Sequence, residues 1–375
     1  MMKTTIPLFR PHFPGETRLA IAKDIDSILR DGSLMLGAHN VALESALAMV
    51  AATDCAATVN SCTTALTLAL DFLGTRGNDV LVPSASFITS VSSITFAGGR
   101  PVLVDSNPET LSFSLGDLRR KLTPQTRGLL WVHLTGAISA EADAIVDFAR
   151  SHGLFIVEDC AHALGAEIGG RKAGSLGDAG CFSFYPTKIV TSGTGGAVVT
   201  SNRALDAYVR KMRLFGKRPD DGQVDALGND WFLDEIRACV ARHHLACVPQ
   251  QAARRQAIAD AFRDGLRGVP GITFPLVPEH SKPSYYQFPV FLSSRDDQQR
   301  AMVRLNDEFG IQCKKIYTPT HEELCFRQLD DGSLKKTADM LHRSLCLPIH
   351  AALSDADVAS VIAAVRIVAS DLGKS

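Results

Sequence analysis

A lysine and an aspartate set out the chemistry this chain could do. Lys188 ends the run Gly180-Cys-Phe-Ser-Phe-Tyr-Pro-Thr-Lys188 and opens Ile-Val-Thr-Ser-Gly-Thr-Gly-Gly196. A lysine on a loop is ordinarily a solvated charge. This one lies between apolar runs with little charge nearby, where desolvation would lower its pKa and make the amine a nucleophile. The glycines after it let backbone pass close to a ligand. Upstream, Ile156-Val-Glu-Asp159 places an acid at the end of an apolar strand. Such an acid either caps the next helix or pairs with a protonated ring nitrogen of a bound heterocycle.

Three further sites follow the same pattern. Asn60-Ser-Cys-Thr-Thr-Ala-Leu66 is a small-residue turn opening an apolar helix. It is either an ordinary Ser/Thr N-cap or a phosphate site made of free amides and helix dipole. Pro83-Ser-Ala-Ser-Phe87 puts an aromatic just past another strand, to stack on a planar ligand or to fill the core. Ser183 offers a hydroxyl suited to a phosphate, or a structural one.

These residues need a common edge to meet. Helix-like stretches at 63–72, 88–97, 115–121 and 141–151 alternate with apolar runs at 79–83, 101–105, 128–133 and 154–158. Continuous apolar strands separated by helices predict a mostly parallel sheet covered on both faces, an α/β architecture. Ligands in such sheets bind beyond the carboxyl ends of the strands, where all five sites fall. After residue 199 come an Arg-rich helical stretch, a polar loop at 216–228 and one long helix over 233–266. A smaller α+β unit follows, with strands at 286–292 and 312–316 and a last helix over 355–372. The expected division is 1–250 for the large domain with its N-terminal segment, and 251–375 for the small one.

The order of these features is specific, and the sequence strongly resembles the DegT/DnrJ/EryC1/StrS family of sugar aminotransferases, pyridoxal phosphate (PLP) enzymes of fold type I. The likeness runs from Ile6-Pro-Leu through Val132-His-Leu-Thr-Gly136, Glu158-Asp-Cys-Ala-His162 and Gly174-Ser-Leu-Gly-Asp178 to Leu347-Pro-Ile-His350. It implies that Lys188 holds PLP as a Schiff base and that Asp159 partners the pyridine nitrogen. It places His162 near the phenolic oxygen, Phe87 over the ring face, and Cys62, Thr63 and Ser183 at the phosphate. Tyr317 and His321, in Tyr317-Thr-Pro-Thr-His321, match a motif near the substrate. In Gly228-Asn-Asp-Trp-Phe232, Asp230 stands where the family's Asn reaches the phosphate in the partner subunit. Phe232 replaces an Arg, Arg237 stands where Gln is common, and Thr194 where Glu is common.

The implied activity is transfer of an amino group from glutamate or glutamine to a keto sugar, with a nucleotide-linked one expected, by a homodimer with shared active sites. The alternatives are a free cyclic ketone acceptor, of inosose or aminoshikimate type, left open by Phe232, and a non-catalytic paralogue retaining the fold. Family dehydratases carry histidine in place of the lysine, so Lys188 argues against them. A Rossmann dehydrogenase is disfavoured by the lack of a G-x-G-x-x-G turn after an early strand.

Composition bounds the setting. Hydrophobic residues make up 46% of the 375 and charged ones 21%, with a formal net charge of -1, so no field draws the chain to nucleic acid or an anionic membrane. Apolar runs are too short to span a bilayer, and Met1 to Thr5 carry no signal-peptide core. Nine scattered cysteines, without C-x-x-C pairs, argue against a disulfide framework or a metal site and for a reducing, cytoplasmic location.

Overall fold

The computed structural model describes residues 5–218 and 220–373. The reading of the first five residues therefore falls outside it, apart from Thr5.

Seven strands form the main sheet: β1 (Cys55–Val59), β2 (Asp79–Pro83), β3 (Arg100–Val104), β4 (Thr126–Val132), β5 (Phe155–Asp159), β6 (Ala179–Ser183) and β7 (Gly196–Thr200). Their order is β1-β7-β6-β5-β4-β2-β3. All neighbours run parallel except β7, which is antiparallel to both β1 and β6. Reversing that one strand lets the chain leave β6, loop through Lys188 and return without a crossover helix.

Successive side chains of a strand point to opposite faces, and the core divides accordingly. Leu81, Leu129, Trp131, Ile156, Phe182 and Val199 face one cluster, packed by α2 (Ala38–Ala51), α5 (Leu115–Arg120), α6 (Ala142–Ser151) and α8 (Glu235–Leu245). Val80, Val82, Leu130, Val157, Cys181 and Val198 face the other, packed by α3 (Cys62–Phe72), α4 (Ile88–Phe96), α7 (Arg203–Met212) and α11 (Lys335–Arg343). This two-sided burial is why the strands read as unbroken apolar runs.

The helix expected over 233–266 is two. It breaks after α8, and α9 (Val248–Leu266) restarts with Pro249 in its first turn. A proline lacks the N–H that a continuing helix needs and its ring clashes with the preceding turn, yet it suits a first turn. Val248 packs into the first core, whereas Ile258, Phe262 and Leu266 belong to a third one. That third core is completed by β8 (Phe288–Phe291), α10 (Arg295–Asp307), β9 (Ser344–Leu347) and α12 (Asp355–Leu372). The strand expected over 312–316 is reduced to single bridges, Ile6↔Ile311 and Lys314↔Cys346. Side chains take two of its amides: Asn306 Oδ1 accepts from Cys313 N–H (3.2 Å) and Ser344 Oγ from Ile316 N–H (3.0 Å). Also unread in the sequence were α1 (Gly15–Asp31), α2 and β1.

The end of β5 carries two acids with opposite fates. Glu158 is fully buried, accepts the amides of Gly174 (2.9 Å), Leu176 (2.7 Å) and Gly177 (2.9 Å), and lies 2.7 Å from His133 Nε2. It ties down the loop that leads into β6. Asp159, one residue on, faces the other way. Replacing Glu158 with alanine would orphan two buried donors and a half-buried one, so Glu158→Ala is expected to cost about 3–4 kcal/mol, read as a lower urea midpoint with unchanged slope.

Candidate active site

The carboxyl ends of β1, β5 and β6 and the start of β7 open on a cavity of about 500 Å³. Ser61, Cys62, Thr63, Phe87, Ser90, Asp159, His162, Ser183, Thr187, Lys188, Thr194, Tyr286, Lys314 and Tyr317 are among its lining residues.

Lys188 is positioned by a turn. Pro186 presets the backbone, and Lys188 N–H donates to Tyr185 C=O (2.9 Å). The loop is closed behind it by Phe184 N–H to Gly195 C=O (2.9 Å) and by Thr191 Oγ1 to Phe184 C=O (3.0 Å). The ammonium lies 4.4 Å from the centre of the Tyr286 ring and has no carboxylate within ion-pair distance among the described residues. Burial brings its pKa down from 10.5 to about 8, with Lys314 adding to the fall and Asp159 and Cys62 opposing it. Tyr286 is itself fixed by Thr187 Oγ1 (2.9 Å) and stacks on His162 at 4.2 Å between centroids.

Asp159 is held by two donors. Ser90 Oγ donates to Oδ2 (2.7 Å) and Ala161 N–H to Oδ1 (3.0 Å). His162 Nδ1 accepts from Thr135 N–H (3.2 Å), and burial together with Lys188 and Lys314 keeps its pKa well below the usual imidazole range. The neutral ring therefore carries its proton on Nε2 and donates it to the Tyr317 hydroxyl at 2.9 Å. The Tyr317 O–H is left to donate elsewhere, and burial pushes its pKa well above 10.

At the start of α3, Ser61 Oγ accepts from Thr64 N–H (3.1 Å), while the amides of Cys62 and Thr63 find no acceptor among the described residues. Strand β7 passes directly behind this turn. A Cβ on Gly196 would meet Cys62 N and Ser61 C at 2.5 Å, so only glycine permits the approach. Ser183 Oγ accepts from Tyr185 N–H (3.3 Å) and keeps its proton to donate into the cavity. Phe87, 46% exposed, sits at the rim 5.4 Å from the Tyr317 ring.

Eight of the ten residues singled out from sequence thus line one cavity. Two do not. His321 is turned away, its Nδ1 2.6 Å from Ser84 Oγ, where it braces the strand end that carries Phe87. Asp230 is exposed, in a loop whose Asp230 C=O accepts from Asn60 Nδ2 (3.3 Å). Arg237 lies outside the cavity too, 3.4 Å from Asp234. Ser90, Thr187, Tyr286 and Lys314 were missed, because nothing in their immediate sequence separates them from ordinary helix, loop or surface residues.

The donor set fits PLP: an amine of lowered pKa, a fixed carboxylate, free amides at a helix N-terminus and flanking aromatic rings. The fold and cavity are those of a fold type I PLP enzyme. Residues 16–366 match the model of the DegT/DnrJ/EryC1/StrS aminotransferase family, and the chain belongs to that family. It is 33% identical over 333 residues to GDP-perosamine synthase of Caulobacter vibrioides (88% of this chain, 90% of that one). It is 35% identical over 357 residues to dTDP-3-amino-3,4,6-trideoxy-alpha-D-glucose transaminase of Streptomyces venezuelae (94% and 92%). The crystal structure of the aminotransferase TlmJ from Streptoalloteichus hindustanus superposes with a TM-score of 0.91 at 29% identity, covering 98% of this chain and all of that one. The protein is a PLP-dependent aminotransferase.

Because burial penalises the ammonium, the Lys188 amine deprotonates well before a surface lysine does. In the cofactor-free protein its labelling by an amine-reactive reagent is expected to rise about tenfold per pH unit and level off near pH 8. Surface lysines should keep rising toward about pH 10, and peptide mapping by mass spectrometry separates the two.

Proposed function

We propose that the enzyme transfers an amino group from glutamate or glutamine to a nucleotide-linked keto sugar. The observation that carries the proposal is the convergence of Lys188 and Asp159 on one cavity with free amides at one side, in a chain whose relatives include enzymes named as nucleotide-sugar transaminases. When bound there, PLP supplies an electron sink for the carbon that carries the amino group.

The roles of the chain's own residues follow. Lys188 would hold the cofactor and, once free, would take the proton from the donor's α-carbon as base and give it up as acid on the cofactor's side. Its pKa of about 8 suits both tasks near neutral pH. Asp159, held by Ser90 and Ala161, keeps a cationic ring nitrogen in place. The amides of Cys62 and Thr63, with the Ser183 hydroxyl, receive the phosphate. His162 would sit near the phenolic oxygen and Phe87 would cover the ring face.

Further parts of the reading are proposals of the same kind. The division at about residue 250 is supported by the change of core along α9. A homodimer is supported by the loop at 213–232, which leaves Val224 60% and Leu227 96% exposed and carries Asp230 away from its own cavity. A cytoplasmic location is supported by nine free cysteines. Among the described residues no helix is long and apolar enough to cross a membrane.

Lys188→Ala is expected to remove the visible absorbance of the bound cofactor near about 410–420 nm and to lower kcat at least ~1,000-fold. The proposal fails if the wild-type protein, loaded with PLP, transfers no amino group from glutamate or glutamine to any of a panel of keto-sugar nucleotides. Free cyclic ketones in the same panel distinguish the acceptor class.

A further inference from the structure

Lys314 enters the cavity from the C-terminal region with a charge that no acid among the described residues neutralises. An exposed lysine is ordinarily a solvated surface charge, but three observations set this one apart.

Its backbone is fixed. Cys346 N–H donates to Lys314 C=O (2.7 Å), and the neighbouring Cys313 and Ile316 are buried, so the segment is anchored to β9 and Lys314 is presented to the cavity. Its ammonium is also directed. Lys314 Nζ lies 5.1 Å from the centre of the Phe9 ring, Phe9 stacks on Tyr286 at 5.4 Å, and the far ring of that stack carries Lys188 Nζ at 4.4 Å. Two ammonium groups thus sit over one pair of stacked aromatic rings. Finally, Lys314 is unpaired: its Nζ has no carboxylate or hydrogen-bond acceptor among the described residues. The lining contains one acid, Asp159, and both of its oxygens already accept hydrogen bonds.

A cavity with a fixed surplus cation selects an anion. Apart from Lys188, Lys314 is the sole Lys or Arg among the described lining residues. An α-amino acid must bring its nitrogen to where Lys188 has its own, and its carboxylate is one bond from the carbon bearing that nitrogen. The anion is therefore delivered deep in the cavity, beside Lys188. In a nucleotide-linked sugar the nearest negative charge lies on the phosphate at C1, several bonds from a keto carbon at C3 or C4. We propose that Lys314 receives the α-carboxylate of the amino donor, an assignment that rests on the transaminase reading above. Its influence on both Lys188 and His162, whose pKa values it helps to lower, accords with a place near the reacting end of the cavity.

The test uses the PLP-loaded wild-type enzyme with Lys314→Ala and Lys314→Arg. Glutamate affinity is read from single-turnover conversion of the cofactor's absorbance, and 2-oxoglutarate affinity by calorimetry on the amino-loaded form. Loss of one charge-assisted contact is expected to weaken both roughly 10- to 100-fold in Lys314→Ala. Lys314→Arg should recover most of it, and the KM of the keto acceptor should stay within about 2-fold, as expected if Lys314 touches only the donor. Unchanged glutamate affinity in Lys314→Ala, or an equal rise in acceptor KM, overturns the assignment. If wild-type enzyme binds neither glutamate nor 2-oxoglutarate yet accepts an amino group from another donor, the Lys314 assignment falls and the transaminase reading stands. If no donor works, both fall.

Discussion

A lysine that is to act as a nucleophile must be kept out of water without being cancelled by an acid. In this protein the condition is met by geometry. Lys188 leaves a turn at the end of β6, with Tyr286 beneath its ammonium and Asp159 close enough to be felt but not close enough to pair. An ion pair would hold the amine protonated well above neutral pH, while burial alone would hide it. Much of the surrounding structure serves this balance. The reversed strand β7 leaves room for the Lys188 loop, Gly196 lets that strand pass behind the Ser61–Thr63 turn, and Ser90 with Ala161 fixes the carboxylate.

Consecutive acids at the end of β5 illustrate how strand alternation separates two tasks. Glu158 goes to the inner face and spends its oxygens on three amides and His133. Asp159 goes to the cavity. The loop that Glu158 ties down leads directly into β6, and β6 leads to Lys188. The placement of the nucleophile thus depends on a carboxylate that never meets a ligand, a common arrangement where a reactive group must be held within a fraction of an ångström.

How much of this was readable beforehand depended on the range of the interactions. The parallel strands and their helices were legible because burial on both faces writes itself into local runs such as 79–83 and 154–158. Lys188, Asp159 and the Cys62–Thr63 turn were legible because each stands in a distinctive local motif. β1 was not, since Cys55-Ala-Ala-Thr-Val59 is built of small residues with no alternation. The break before α9 was overlooked although Pro249 marks it. Ser90 and Tyr286 gain their roles only through contacts made 69 and 99 residues away in the chain, and no local pattern records such distances. His321 shows the converse: a good motif match can identify a residue's neighbourhood without saying which way its ring turns.

The ring beneath Lys188 comes from beyond α9, as do Tyr317 and Lys314, whereas the lysine itself comes from the large sheet. Proton affinity and docking are therefore linked quantities. Whatever free energy the approach of the C-terminal region adds to the cost of charging Lys188, deprotonation of Lys188 must return to that approach in equal measure. The nucleophile in this sense doubles as an electrostatic gauge of how tightly the two parts of the chain are closed around it.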